Sequence, residues 1–162
     1  MTIRRWNDGD SVDRLTELLH AAYAEWGEAG VYFWAVEQSS DDTRERLEGG
    51  VTWLAVEGEE WVGTVTLYPG TRADIPYYGR PGLWYFGQFG VLPTYKGRGV
   101  GRALFDTVVA HAAGAGGLEL ACDTNSKALR LIGMYEAWGL SQVGHHTWPN
   151  GGVSIVLARS LV

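Results

Sequence analysis

The chain has 162 residues, 46% of them hydrophobic, which suits one globular domain with one core and argues against disorder. A formal charge of −6 argues against general nucleic-acid binding. No apolar run approaches the ~20 residues of a membrane span, the opening MTIRRWNDGD lacks the apolar core of a signal peptide, and a lone Cys122 excludes an internal disulfide; the reading is a cytoplasmic protein with no membrane partner.

Thr2 to Trp6 reads as a first strand. Asp10 or Ser11 can cap a helix whose apolar positions are Val12, Leu15, Leu18, Leu19 and Ala22. Tyr23 to Trp34 is unusual, mixing aromatics with glycines and acids. Ser40 or Asp41 then caps a short charged helix through Leu47, ended by Gly49 and Gly50. Val51 to Glu57 alternates as a strand, Gly58 opens a tight turn, and Trp61 to Tyr68 is the hairpin partner. Pro69 to Gly82 is a loop carrying Arg72, Asp74, Tyr77 and Tyr78. Leu83 to Val91 is the next strand, and Pro93, with no N–H to donate, stops it. A helix follows from Val100 to Ala113, then a short buried strand from Leu118 to Cys122 and a helix from about Ser126 to Trp138. Ser141 to Trp148 and Val153 to Arg159 close the chain as a hairpin. Hairpins with one helical crossover predict a mixed α/β sheet with flanking helices, in a single domain over residues 1–162.

The stretch from Gln88 to Leu104, QFGVLPTYKGRGVGRAL, passes from strand through a glycine-rich turn into helix. A helix start leaves backbone N–H groups unpaired and carries about half a positive charge. Glycines let amides approach a ligand with no Cβ in the way. Together these cradle a pyrophosphate, and Lys96, Arg98 and Arg102 add charge. No GxxxxGK[ST] loop is present, and Arg102 occupies the last position of a GxGxxG fingerprint, so both of those nucleotide motifs are excluded.

The string VLPTYKGRGVGRAL resembles the coenzyme-A loop of the GNAT superfamily of N-acetyltransferases, whose Arg/Gln-x-x-Gly-x-Gly/Ala pattern falls on Lys96, Gly99 and Gly101. Lys96 replaces the usual Arg or Gln and keeps the charge. The segment Asp123 to Leu140, DTNSKALRLIGMYEAWGL, resembles the second GNAT signature at Asn125, Tyr135, Glu136, Gly139 and Leu140. Leu140 stands for the usual Phe, and three extra residues separate Asn125 from Tyr135. The resemblance covers the order of elements along essentially the whole chain. It implies a sheet of about seven strands, the fourth and fifth parallel and splayed, with acetyl-coenzyme A entering the cleft. It assigns the coenzyme to Phe89, Gly90, Val91, Lys96, Gly97, Arg98, Gly99, Val100, Gly101, Arg102 and Asn125, and proton donation to the leaving thiolate to Tyr135. The implied acceptor is a primary amine of a small molecule, peptide or protein; no metal is implied, and a homodimer is compatible with it.

An attacking amine must first lose a proton, since its reference pKa is ~10.4. Many relatives carry Glu for this on the strand before the loop; here that position is Tyr85, and Leu83 to Val91 holds no carboxylate or His. Glu119, Asp123, Asp74 and Glu25 remain as candidate bases. His145 and His146 are adjacent on a strand and face opposite sides, which argues against a metal pair. Trp26, Tyr32, Trp34, Tyr77, Tyr78, Trp84 and Tyr85 could wall an acceptor site, because aromatic faces attract cations; core filling is the competing role for them. The missing strand-four Glu keeps open a second reading, a coenzyme-A-binding sensor without turnover.

Overall fold

The computed structural model describes residues 1–70 and 74–162. Arg72 of the Pro69–Gly82 loop lies outside the described residues. Seven strands, β1 (Thr2–Arg5), β2 (Val51–Glu57), β3 (Glu60–Pro69), β4 (Leu83–Val91), β5 (Glu119–Asn125), β6 (Ser141–Thr147) and β7 (Val153–Ser160), lie in the sheet order β1-β2-β3-β4-β5-β7-β6. The α-helices are α1 (Val12–Glu28), α2 (Ser40–Leu47), α3 (Val100–Gly114) and α4 (Leu129–Ala137). The predicted mixed α/β sheet is present, with β4 and β5 parallel. Internal contacts divide the chain into two compact units: Met1–Tyr68 with Gly87–Val108, and Pro69–Phe86 with Val109–Val162.

In the first unit β1, β2 and β3 form an antiparallel ribbon, with Ile3 opposite Ala55 and Val51 opposite Leu67. Gly58 turns the β2–β3 hairpin at φ +60°, a conformation open to glycine without a Cβ clash. Leu15, Leu18 and Leu19 of α1 recur at helical spacing and bury against Ala35, Leu54 and Trp61. Of the two candidate caps of α1, Ser11 serves: its Oγ accepts from the Arg14 amide at 3.1 Å. The irregular segment expected from Tyr23 is instead helical as far as Glu28, because Tyr23 and Trp26 stay on one face and both pack on Phe33, at 5.0 and 5.7 Å between ring centroids. The cap of α2 is Ser39 rather than Ser40 or Asp41; it exchanges hydrogen bonds with Asp42 as a capping box.

Asp10, freed from capping α1, takes two hydrogen bonds from the Arg4 guanidinium, at 2.8 and 3.0 Å, and one from the Asn7 amide. The Arg4 hydrogen bonds hold its carboxyl below the usual carboxylate range. A lowered folded pKa means the stabilisation is present above the unfolded value of ~3.9 and disappears as pH falls through the lower folded value. Asp10→Asn should therefore lower the urea midpoint at pH 7, and the two midpoints should converge below about pH 4. Parallel midpoints over that range would exclude this account.

In the second unit β5 is longer than the expected Leu118–Cys122 strand, because β7 pairs with it along its whole length, from Glu119↔Ser160 to Asn125↔Ser154. For the same reason α4 starts late. The Ser126 amide bonds to the Val153 carbonyl at 2.9 Å, and the Asn125 side chain accepts from the Lys127 amide at 2.9 Å, so the helix begins at Leu129 instead of Ser126. This turn occupies residues 126–128, between Asn125 and the helix.

Candidate active site

The first unit carries the glycine-rich turn. After β4 the Leu92 amide bonds to the Val62 carbonyl at 2.8 Å, and Pro93–Tyr95 makes one 3-10 turn. Gly97 and Gly99 then take φ of +78° and +81°, which bends the chain into α3. Val100 and Leu104 anchor the helix start, both buried; a Cβ on Gly63 of β3 would meet them at 3.1 and 3.0 Å. The first helical bond runs from the Ala103 amide to the Gly99 carbonyl, at 3.0 Å. Among the described residues the amides of Gly97, Arg98 and Gly99 donate no backbone hydrogen bond, and those of Val100 and Gly101 lie in the unpaired first turn.

The three cations behave differently from simple free charges. Lys96 is ion-paired with Glu25 of α1. Arg102 bonds Asp106 one turn along α3 at 2.9 Å, and Arg98 lies over the Tyr95 ring at 5.0 Å. The unpaired amides are thus the more constant feature of the loop.

At the end of β4, Phe89 is buried and its carbonyl accepts the Tyr23 hydroxyl, while Gly90 and Val91 are half-buried. Gly90 is where α1 crosses the strand: a Cβ there would stand 2.8 Å from the Ala22 Cβ. Gly90→Ala should destabilise the fold by about 1–3 kcal/mol through overpacking, read as a lower urea midpoint. An unchanged midpoint would show that α1 can shift freely.

Sequence reasoning missed Gln88. It is the one described non-glycine residue with positive φ, +45°, and it is buried in β4. Its Oε1 accepts from Gln38 Nε2 at 2.9 Å, and Gln38 in turn bonds Thr43 at 2.7 Å and accepts from Arg46 at 2.9 Å. Residue type gives no warning of such a backbone; a glutamine within the otherwise apolar run Leu83–Val91 was the only signal.

In the second unit Tyr135 of α4 is buried, edge-on to Phe86 at 5.8 Å and to Trp138 at 6.0 Å. Asn125 closes β5 and spends its side-chain oxygen on the Lys127 amide. A 3-10 turn at Pro76–Gly79 sets two tyrosines against β5. Tyr77 donates its hydroxyl to Glu119, which also accepts from Arg80 Nε at 2.8 Å. Burial, then Glu119, push the Tyr77 hydroxyl above its ordinary range. Tyr78 is fully buried, stacked on Tyr85 at 4.6 Å, and donates to Asp123 at 2.6 Å. Burial, followed by the neighbouring Asp123 charge, raises the Cys122 thiol well above its usual range, so it is a poor nucleophile.

The aromatic residues expected to form one acceptor wall divide between the two units. Trp26 packs on Phe33, exposed Tyr32 bonds Glu37 at 3.2 Å, and exposed Trp34 lies under Arg46 at 5.1 Å. Tyr78 and Tyr85 are core, and Trp84 meets His111 edge-on at 6.1 Å. His145 is exposed, while His146 packs on Trp148 at 4.5 Å. Asp74 is exposed. Among the described residues no group of three His, Cys, Asp or Glu side chains is placed to hold a metal ion, and no helix is long and apolar enough to cross a membrane.

The sequence profile of the Acetyltransferase (GNAT) family matches residues 12–140. The chain belongs to the GNAT acetyltransferase family. Human N-acetyltransferase 8B is 32% identical over 114 residues, which are 67% of this chain and 48% of that protein; the GNAT chain thus spans about half the length of this curated relative. An acetyltransferase of the GNAT family from Staphylococcus aureus Mu50 superposes with a TM-score of 0.76 at 17% identity, covering 99% of each chain. A GNAT acetyltransferase from Elizabethkingia anophelis, solved with acetyl-CoA bound, gives 0.73 at 18% identity, covering 98% of this chain and 97% of that one. These superpositions establish the GNAT fold.

The loop of this GNAT chain fits a pyrophosphate on its own geometry. A Cβ at Gly97 or Gly99 would meet nothing within 4 Å, so the backbone there faces open space. Unpaired amides of a helix start line it, with no acidic residue in the first turn of α3.

Proposed function

We propose that this GNAT chain, as a single domain over residues 1–162 in the cytoplasm, transfers an acetyl group from acetyl-coenzyme A to a primary amine of a small molecule, peptide or protein. The observation that carries the reading is the Gly97–Gly101 run of open amides leading into α3, in a chain of this family. Bound acetyl-coenzyme A supplies an activated acetyl thioester. The amides from Gly97 to Arg102 hold its pyrophosphate, with Arg98 and Lys96 at the rim and Phe89, Gly90, Val91 and Asn125 completing the binding residues. Tyr135 donates a proton to the leaving sulfur.

A second reading, a coenzyme-A sensor without turnover, is favoured by one feature: Tyr85 stands where the GNAT resemblance places the Glu of many relatives, and it is buried in a stack with Tyr78. Equilibrium binding of coenzyme A together with thiol release from acetyl-coenzyme A separates the two. The acceptor panel should include alkyl and aryl amines, a polyamine, an aminoglycoside and peptides with free N-termini or lysines. Amine-dependent thiol release is expected. Binding with no release across the panel would favour the sensor.

A further inference from the structure

We infer that Asp123 takes the proton from the acceptor amine and that Tyr78 positions it; this rests on the acetyl-transfer reading above. With no carboxylate on β4, the base must come from elsewhere. Glu119 has both oxygens engaged, by Tyr77 and by Arg80. Glu25 is paired with Lys96, and Asp74 lies exposed on the loop. Asp123 differs from all three. It is half-buried, its Oδ1 accepts the Tyr78 hydroxyl at 2.6 Å, and its Oδ2 accepts no hydrogen bond among the described residues. Tyr78 is itself immobilised, fully buried and stacked within 13° of parallel on Tyr85. One oxygen is thus clamped by a rigid donor, and the other is left to accept a proton.

Strand alternation adds a second argument. In β4, Tyr85 and Phe86 are successive and point to opposite faces of the sheet. Tyr78 and Asp123 lie with Tyr85, whereas Tyr135 lies with Phe86. A group that accepts the amine proton and a group that protonates the sulfur therefore stand on opposite faces of one sheet. Base and acid are thereby kept from exchanging a proton directly with one another.

The elements next to Asp123 carry several titratable or charged groups. On β5 they are Glu119 and the buried Cys122; on the 3-10 turn, Tyr77, Tyr78 and, following it, Arg80; on β4, Tyr85. Val156 of β7 stands opposite it and is uncharged, and beyond Val156 comes Gly144 of β6, followed by His145 and His146. The protons balance as follows. The ammonium gives one proton to Asp123, which passes it to water. The freed lone pair forms the N–C bond to the acetyl carbon, and the C–S pair leaves on sulfur. Nitrogen loses its second proton to solvent, sulfur gains one from Tyr135, and solvent reprotonates Tyr135, so the net release is one proton.

The test is the pH profile of kcat/KM for the alkyl amine or lysine peptide of the panel that the wild type acetylates fastest, measured from pH 6 to 10. Asp123→Asn should lower kcat/KM about a hundredfold at pH 7 and leave acetyl-coenzyme A affinity within about twofold. The deficit should shrink as pH approaches the amine's own pKa of ~10.4, where no base is needed. Tyr78→Phe keeps the stacked ring and should lower kcat by a smaller factor, with the pH limb moved in the same direction. If Asp123→Asn fails to fold, Asp123→Ala with added formate serves instead, and restored turnover supports the assignment. A variant with the wild-type profile, or a loss of the same size at every pH, overturns the base while leaving acetyl transfer intact. A wild type that binds acetyl-coenzyme A but acetylates no amine overturns both.

Discussion

Tyr135→Phe should lower the turnover number about a hundredfold and leave acetyl-coenzyme A affinity nearly unchanged. The ring is buried and meets Phe86 and Trp138 edge-on, so the packing that fixes α4 belongs to the ring and survives the substitution. Only the hydroxyl is lost. Proton transfer by a positioned side chain contributes about 10²–10⁴-fold. The lower end is expected because a thiolate, with a reference pKa of ~8.5, leaves partly unaided. Steady-state kinetics beside equilibrium binding measures both quantities. Unaffected turnover would remove Tyr135 from the chemistry, and a collapse of binding would make its hydroxyl a ligand.

Gly99→Asp should weaken coenzyme-A binding at least tenfold, or about 1.4 kcal/mol. Gly99 holds φ +81°, and its carbonyl closes the first turn of α3. Any side chain there strains the backbone, by about 1–2 kcal/mol, and aspartate also sets a negative charge at the mouth of the amide cradle. Gly99→Ala carries the strain alone. The Asp variant should therefore bind more weakly than the Ala variant, and added salt should narrow the gap. Equal affinities in two folded variants would place the pyrophosphate elsewhere.

Much of the fold was legible because its signals are local. β4 was read as Leu83–Val91, and α3 as starting at Val100, because an apolar run, a proline and paired glycines punctuate the chain there. The start of α4 was less legible: Ser126 looks like a helix cap, but its amide is taken by Val153, a partner distant in sequence. The same holds for the site. The amide cradle follows from glycine spacing, whereas Glu25 on Lys96 and Tyr78 on Asp123 join residues far apart in the chain. The aromatics illustrate the limit: composition marks Tyr78 and Trp34 alike, yet one is fully buried and the other exposed.

The most direct test of acetyl transfer is product analysis. The protein would be incubated with acetyl-coenzyme A labelled in the acetyl group and with the amine panel, and both products counted by mass spectrometry. The account predicts labelled N-acetyl amine and free coenzyme A in equal amounts, with neither formed by Tyr135→Phe at a comparable rate. Free coenzyme A accompanied by labelled acetate and no acetylated amine, or acetyl-coenzyme A recovered intact from a protein that binds it, would contradict it.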